Sequence, residues 1–176
     1  YLNLQGWRAA RQHEPLPEVL RSIRLACHMF QGITDGTMSY NEAWHFLRLG
    51  RMMERADKTS RILDVKYFIL LPTTTGVGTP YDDLHWAAVL KSVSGFEMYR
   101  KQYGRISPRN IVDFLLMSRE FPRAIRHCIQ SAQESLHAIT GMFEPSSACE
   151  SQRRMKVLGD ELQSADVQVI MQRGLH

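Results

Sequence analysis

Apolar residues return every three or four positions along almost the whole of this chain, and nowhere do apolar and polar residues alternate for long enough to make a strand. That period predicts an all-α fold, a helical bundle of five or more helices. A first helix is expected over 17–34, with Val19, Ile23, Ala26, Cys27, Phe30 and Ile33 on one face and Pro17 in the first turn, where no N–H is required. "TDGTM" then turns the chain. Ser39 followed by Glu42 has capping-box spacing and should open a long helix over 39–71. "PTTTGVGTP", 72–80, ends it and is the clearest loop, with Thr79 and Pro80 starting the next helix.

Over 81–103, Trp86, Val89, Leu90, Val93 and Phe96 form one apolar stripe that Gly104 can close. Ser107 and Pro108 start another helix, which Pro122 should kink or break between 119 and 124, since proline has no N–H to give. Ile125, Cys128, Ile129, Ala132, Leu136 and Ile139 continue to Gly141. A second capping box, Ser147 with Glu150, precedes Met155, Leu158, Leu162, Ala165 and Val169, the seam of a bundle or of a homo-oligomer. "SYNEAWHFLRLGRMMERA" also aligns faintly with "SPRNIVDFLLMSREFPRA", Glu54 falling opposite Pro122.

The long second helix is the unusual one. At 100 degrees per residue, Phe46, Leu49, Gly50, Met53, Ala56, Ser60, Leu63 and Tyr67 make a core-facing stripe, and Trp44, Leu47, Ile62, Val65 and Ile69 lie on the other side. Apolar residues around so much of its circumference predict a central position in the bundle. Arg51, Glu54, Arg55, Lys58 and Arg61 are then expected to be shielded from solvent. Asp57 and Asp64 fall closer still to the core stripe, with Arg61 spaced to reach both. The plainer alternative is a solvated lattice of ion pairs, each worth about 0.2–0.5 kcal/mol. Gly50, which costs a helix interior about 1 kcal/mol against alanine, suggests close approach by another helix or a ligand. Glu54 is expected to be the anionic hub for Arg51, Lys58 and Arg61, and Arg55 to serve a ligand or partner with little part in folding.

With 176 residues, 44% hydrophobic and 23% charged, the chain suits a single helical domain over 1–176. The net charge of +4 is scattered in arginine and lysine doublets on separate helices, without the continuous track that nucleic acid requires. No apolar run approaches the roughly 20 residues of a membrane helix. Cys27, Cys128 and Cys149 form no C-x-x-C pair, which fits a reducing cytoplasm and argues against a thiolate metal site. The opening "YLNLQGW" reads like the middle of an element, so the chain is expected to be the C-terminal part of a longer one.

The phrase L-G-R-x-x-E-R-A-D-x-T-x-R-x-L-D, 49–64, resembles the bacterial alpha-E family, predicted helical domains named after a Glu-Arg motif. "DDLHWAAVLKSVSGFEMYRKQYG" and "FPRAI" resemble that family's later helices, and the likeness extends over about 18–140. It makes Glu54 and Arg55 the name-giving pair, with Arg51, Asp57, Thr59, Arg61 and Asp64 completing the motif. Members are typically longer and open with a comparable Glu-Arg helix that this chain lacks. They keep company with ATP-grasp ligases and transglutaminase-like peptidases, so the resemblance implies an accessory or binding component, without an established reaction, of a system that makes or cleaves peptide or amide bonds.

A metal-dependent helical enzyme is the alternative. Glu42 with His45, Asp82 with His85 and Glu134 with His137 repeat the carboxylate-x-x-histidine spacing that di-iron and di-manganese bundles use. Glu42 and Asp82 are, however, in first helical turns, where capping and the helix dipole already favour a carboxylate. None of the three cysteines has the histidine and asparagine constellation of a nucleophile, "TTGVGTP" lacks the lysine of a phosphate loop, and no cofactor is called for.

Overall fold

The computed structural model describes residues 15–69, 80–141 and 150–173, and among these every regular element is a helix. The all-α expectation holds. Two compact units divide the chain, Tyr1–Tyr40 and Asn41–His176. The first contains α1 (Leu16–Thr37), whose Pro17 occupies the first turn and which runs three residues past the expected end. Thr34 and Thr37 turn their hydroxyls back onto the carbonyls of Phe30 and Ile33, at 2.7 Å each, and the helix closes where Met38 becomes extended and its N–H returns to the Thr34 carbonyl.

The second unit holds α2 (Glu42–Ile69), α3 (Pro80–Ser92), α4 (Phe96–Tyr103), α5 (Pro108–Met117), α6 (Ile125–Thr140), α7 (Glu150–Ser164) and α8 (Val167–Arg173). α2 opens later than the Ser39 capping box implies: Asn41 is the cap, its Oδ1 accepting the N–H of Trp44 at 3.3 Å. The single helix expected over 81–103 is two. α3 stops at Ser92, and the N–H groups of Ser94 and Gly95 return to the carbonyls of Lys91 and Leu90, a Schellman closure with Ser94 at φ 55°. Gly95 is where Phe121 and Phe114 press in, its ideal Cβ lying 2.9 Å from the Phe121 ring. Gly104, at φ 74°, ends α4 as expected.

Pro122 breaks the chain as its chemistry requires, although α5 has already ended at Met117. This break also ends the likeness between the two aligned segments, because α2 runs unbroken through the equivalent positions. Asp166 accepts the N–H of Gln168 at 2.7 Å and starts α8, so the seam expected over 155–169 is interrupted. Ser147 and Cys149 lie outside the described residues.

Two apolar clusters organise this unit. One joins Leu63 of α2 to Trp86, Val89 and Leu90 of α3, Val93 in the turn that follows, Tyr99 of α4, five residues of α5, Phe121, Ala124 and Val167 of α8. The other sets Met52 and Ala56 of α2 against Cys128, Ile129 and Ala132 of α6, with Met155 and Leu162 of α7 packed on it. α2 therefore lies along α6, and α6 also carries α7. The face that α2 buries is Met52, Ala56, Thr59 and Leu63, rotated by roughly 70 degrees from the expected stripe. Phe46, 54% exposed, and Met53, 39% exposed, belong to the outer side.

Candidate functional site

The motif residues divide by helical face, and the division is set by what the Pro122 break leaves unpaired. A helix that stops at Met117 and restarts at Ile125 has main-chain carbonyls between them that no turn of helix satisfies. α2 supplies the donors. Arg55 Nη1 donates to the Pro122 carbonyl at 3.0 Å, Thr59 Oγ1 donates to that of Arg123 at 2.8 Å, and the Cys128 thiol meets Pro122 O at 3.5 Å. Thr59 is buried, its hydroxyl held between α2 and the segment that precedes α6. Burial pushes the Cys128 thiol above its ordinary pKa, against the pull of the Arg55 and Arg123 guanidiniums.

Two turns before Arg55, Arg48 reaches across to α6. Its Nη2 is 2.9 Å from Glu134 Oε2, its Nη1 donates to Ser135 Oγ at 3.3 Å, and its guanidinium lies 5.6 Å from the Trp44 ring centre. Glu134, offered with His137 as a metal-ligand pair in the alternative reading, is engaged instead as the anion of a cross-helix ion pair. Among the described residues no three histidine, cysteine, aspartate or glutamate side chains come together in a way that could hold a metal ion, so the three carboxylate-x-x-histidine pairs do not converge. His85 and His137 are exposed, whereas Asp82 is buried in the first turn of α3.

The outward face is solvated, a correction to the expected shielding of its charges. Asp57 and Arg61 form a forked pair, Nε to the two carboxylate oxygens at 3.0 and 2.9 Å, with Lys58 Nζ 3.8 Å from Asp57. The Arg61 hydrogen bond lowers the Asp57 pKa, and the same bond raises that of Arg61, with Asp64 adding to the field at the guanidinium. Arg51, Arg55 and Asp64 are half-buried. Glu54 is exposed and lies nearly opposite the buried face; among the described residues it makes no hydrogen bond or ion pair. It is not the hub of the cationic stripe, because Asp57 holds Arg61 instead. Gly50 is exposed too, and among the described residues nothing beyond its neighbours and its own helix backbone comes within 4 Å of where its Cβ would stand, so contact with another described helix does not account for it.

Glu54 and Arg55 are the one Glu-Arg dipeptide in the sequence. The profile of the Alpha-E family, described as a predicted alpha-helical domain with a conserved ER motif, matches residues 1–176. The chain belongs to the Alpha-E family. No curated protein and no solved structure matches it. In this Alpha-E chain the arginine of the dipeptide is turned inward to the Pro122 carbonyl while the glutamate is presented outward. Thr59 and Arg48 are the residues whose structural role the sequence concealed. Their partners are two main-chain or distant groups, Arg123 O and Glu134, which no spacing within α2 reveals.

Proposed function

We propose that this Alpha-E chain is an accessory binding component of a bacterial, cytoplasmic system that makes or cleaves peptide or amide bonds, and that the outward face of α2 docks its ATP-grasp-like or transglutaminase-like enzyme. The observation that carries this reading is the position of Glu54. A family-defining carboxylate that does no work in the packing of its own helix is available for a partner's cations. Asp57, Lys58 and Arg61 flank it with a mutually compensated charge pattern, suited to orienting a partner more than to attracting one nonspecifically. No helix of the described residues is long and apolar enough to cross a membrane.

The test is Glu54→Gln, compared with the parent chain for binding to the proposed ATP-grasp-like partner. Loss of binding with an unchanged unfolding curve is expected. Undiminished binding by both Glu54→Gln and Glu54→Lys would remove the glutamate from the docking surface and this reading with it.

A further inference from the structure

A second polar region lies away from the motif face, between α6 and α7. A groove of about 290 Å³ opens there, lined by Arg119, Arg126, Gln130, Gln133, Asp160 and Gln163 among others. Beyond Arg126 and Gln163, which line both, it continues into a cavity of about 640 Å³ against α5 and the start of α8. The larger part falls within the roughly 300–1,000 Å³ typical of small-ligand sites. Its construction is specific. Gln133 Nε2 donates to Met155 O at 2.8 Å and ties α7 to α6, and Gly159 lies directly over that amide, where a Cβ would collide with it. His127 Nδ1 is 2.7 Å from the Arg119 carbonyl; a carbonyl only accepts, so this nitrogen carries the proton and fixes the Arg119 backbone at the rim.

The charges in this groove are not spent on the fold. Among the described residues neither the Arg119 nor the Arg126 guanidinium makes a hydrogen bond or ion pair, and the Asp160 carboxylate is likewise open. Arg109, in the adjoining cavity, differs: with its amide oxygen turned inward, Gln168 accepts from both Arg109 terminal nitrogens at 2.7 and 3.2 Å. Two open guanidiniums call for an anion, and a planar fork matches a carboxylate. Asp160 disfavours a dianion such as phosphate in the same space. The amides of Gln130 and Gln163 can each donate and accept, as the peptide group requires.

We infer that this groove binds the carboxyl-terminal end of a peptide, Arg119 and Arg126 holding the carboxylate, Gln130 and Gln163 pairing with the last peptide groups, and the cavity beyond Arg126 receiving the preceding residues. The inference rests on the groove's own lining and is independent of the docking role of Glu54. Tetra-alanine, its C-terminal amide and inorganic phosphate, each titrated into the full chain by calorimetry, test it. Saturable binding of tetra-alanine is expected, weakened about tenfold or more by amidation, by Arg119→Gln and by Arg126→Gln, and unaffected by Glu54→Gln. Thermal unfolding of the two arginine variants checks that they fold, and exposed Arg119 keeps the test open if Arg126→Gln does not. Equal binding of acid and amide, binding of phosphate as tight as that of the peptide, or no saturation at millimolar peptide would each overturn the inference.

Discussion

Arg55 and Glu54 are neighbours in sequence with opposite consequences, and mutation should separate them. Thr59 loses a buried hydrogen bond in Thr59→Val and strands the Arg123 carbonyl, at a cost of about 1–3 kcal/mol. Arg55→Ala gives up the bond to Pro122 O from a half-buried position and should cost about 1–2 kcal/mol. Glu54→Gln, exposed and unpaired among the described residues, should stay within about 0.5 kcal/mol. Urea unfolding of the three variants ranks them; an Arg55→Ala curve that overlays the parent would return Arg55 to the partner-binding role its spacing first suggested. The thiols differ in the same way. Cys27 is exposed and Cys128 buried with a raised pKa, so brief iodoacetamide treatment at neutral pH should label Cys27 and spare Cys128 in the native chain, read by peptide mass mapping. Because the folded pKa of Cys128 lies above the unfolded one, its neutral thiol contributes stability fully below the ordinary thiol pKa of 9.0, and that contribution fades as pH rises through the higher folded value. Native Cys128 labelling as fast as that of Cys27 would contradict the burial.

At the level of elements, what was legible was whatever a local rule decides. Gly104 and Gly141 end helices because glycine accepts positive φ, and Pro122, which has no donor to give, lies in the break between α5 and α6, five residues after α5 has ended. The Ser94–Gly95 turn is also local and is announced by its dipeptide, but the Trp86-to-Phe96 stripe reads through it as though it were helix. The orientation of α2 was not legible. Hydrophobic counting rejected Thr59 from the core and admitted Phe46 and Met53, because the burial of a threonine depends on a carbonyl 64 residues away. The candidate site inherits that limit: the Glu-Arg phrase was recognisable, whereas which of its side chains face inward was set by the loop it clamps. Ser94 gives an element-scale prediction. A non-glycine residue in the left-handed region costs about 1–2 kcal/mol, and glycine returns part of that as added freedom of the unfolded chain, so Ser94→Gly should raise stability by about 0.5–1 kcal/mol. A lower melting temperature for that variant would show the Ser94 side chain to be needed in the Schellman closure.

Across the whole Asn41–His176 unit, burial is distributed unevenly, and stability should follow it. α5 places Ile111, Val112, Phe114, Leu115 and Leu116 in the larger cluster, enclosed between α3, α4, α6 and α8. α6 shares the smaller cluster with α2 and is joined to it again by the Arg48–Glu134 pair and by the Arg55 and Thr59 bonds just ahead of its first turn. α7 has no buried residue; it rests on α6 through half-buried Met155 and Leu162, the Gln133 bond and the close approach at Gly159. Opening α7 therefore exposes little apolar surface, while opening α5 dismantles the core. Local unfolding free energies scale with what an opening exposes. In hydrogen–deuterium exchange, amides of α5 and of the first half of α6 should exchange only through global unfolding, and those of α7 through a local opening of much lower free energy. Binding a ligand in the α6–α7 groove should slow α7 selectively, because the ligand bridges the helix that opens to the one that stays. Exchange in α7 as slow as in α5 in the free chain would mean that α7 is held by more than its visible contacts, and the groove would then be a fixed part of the core.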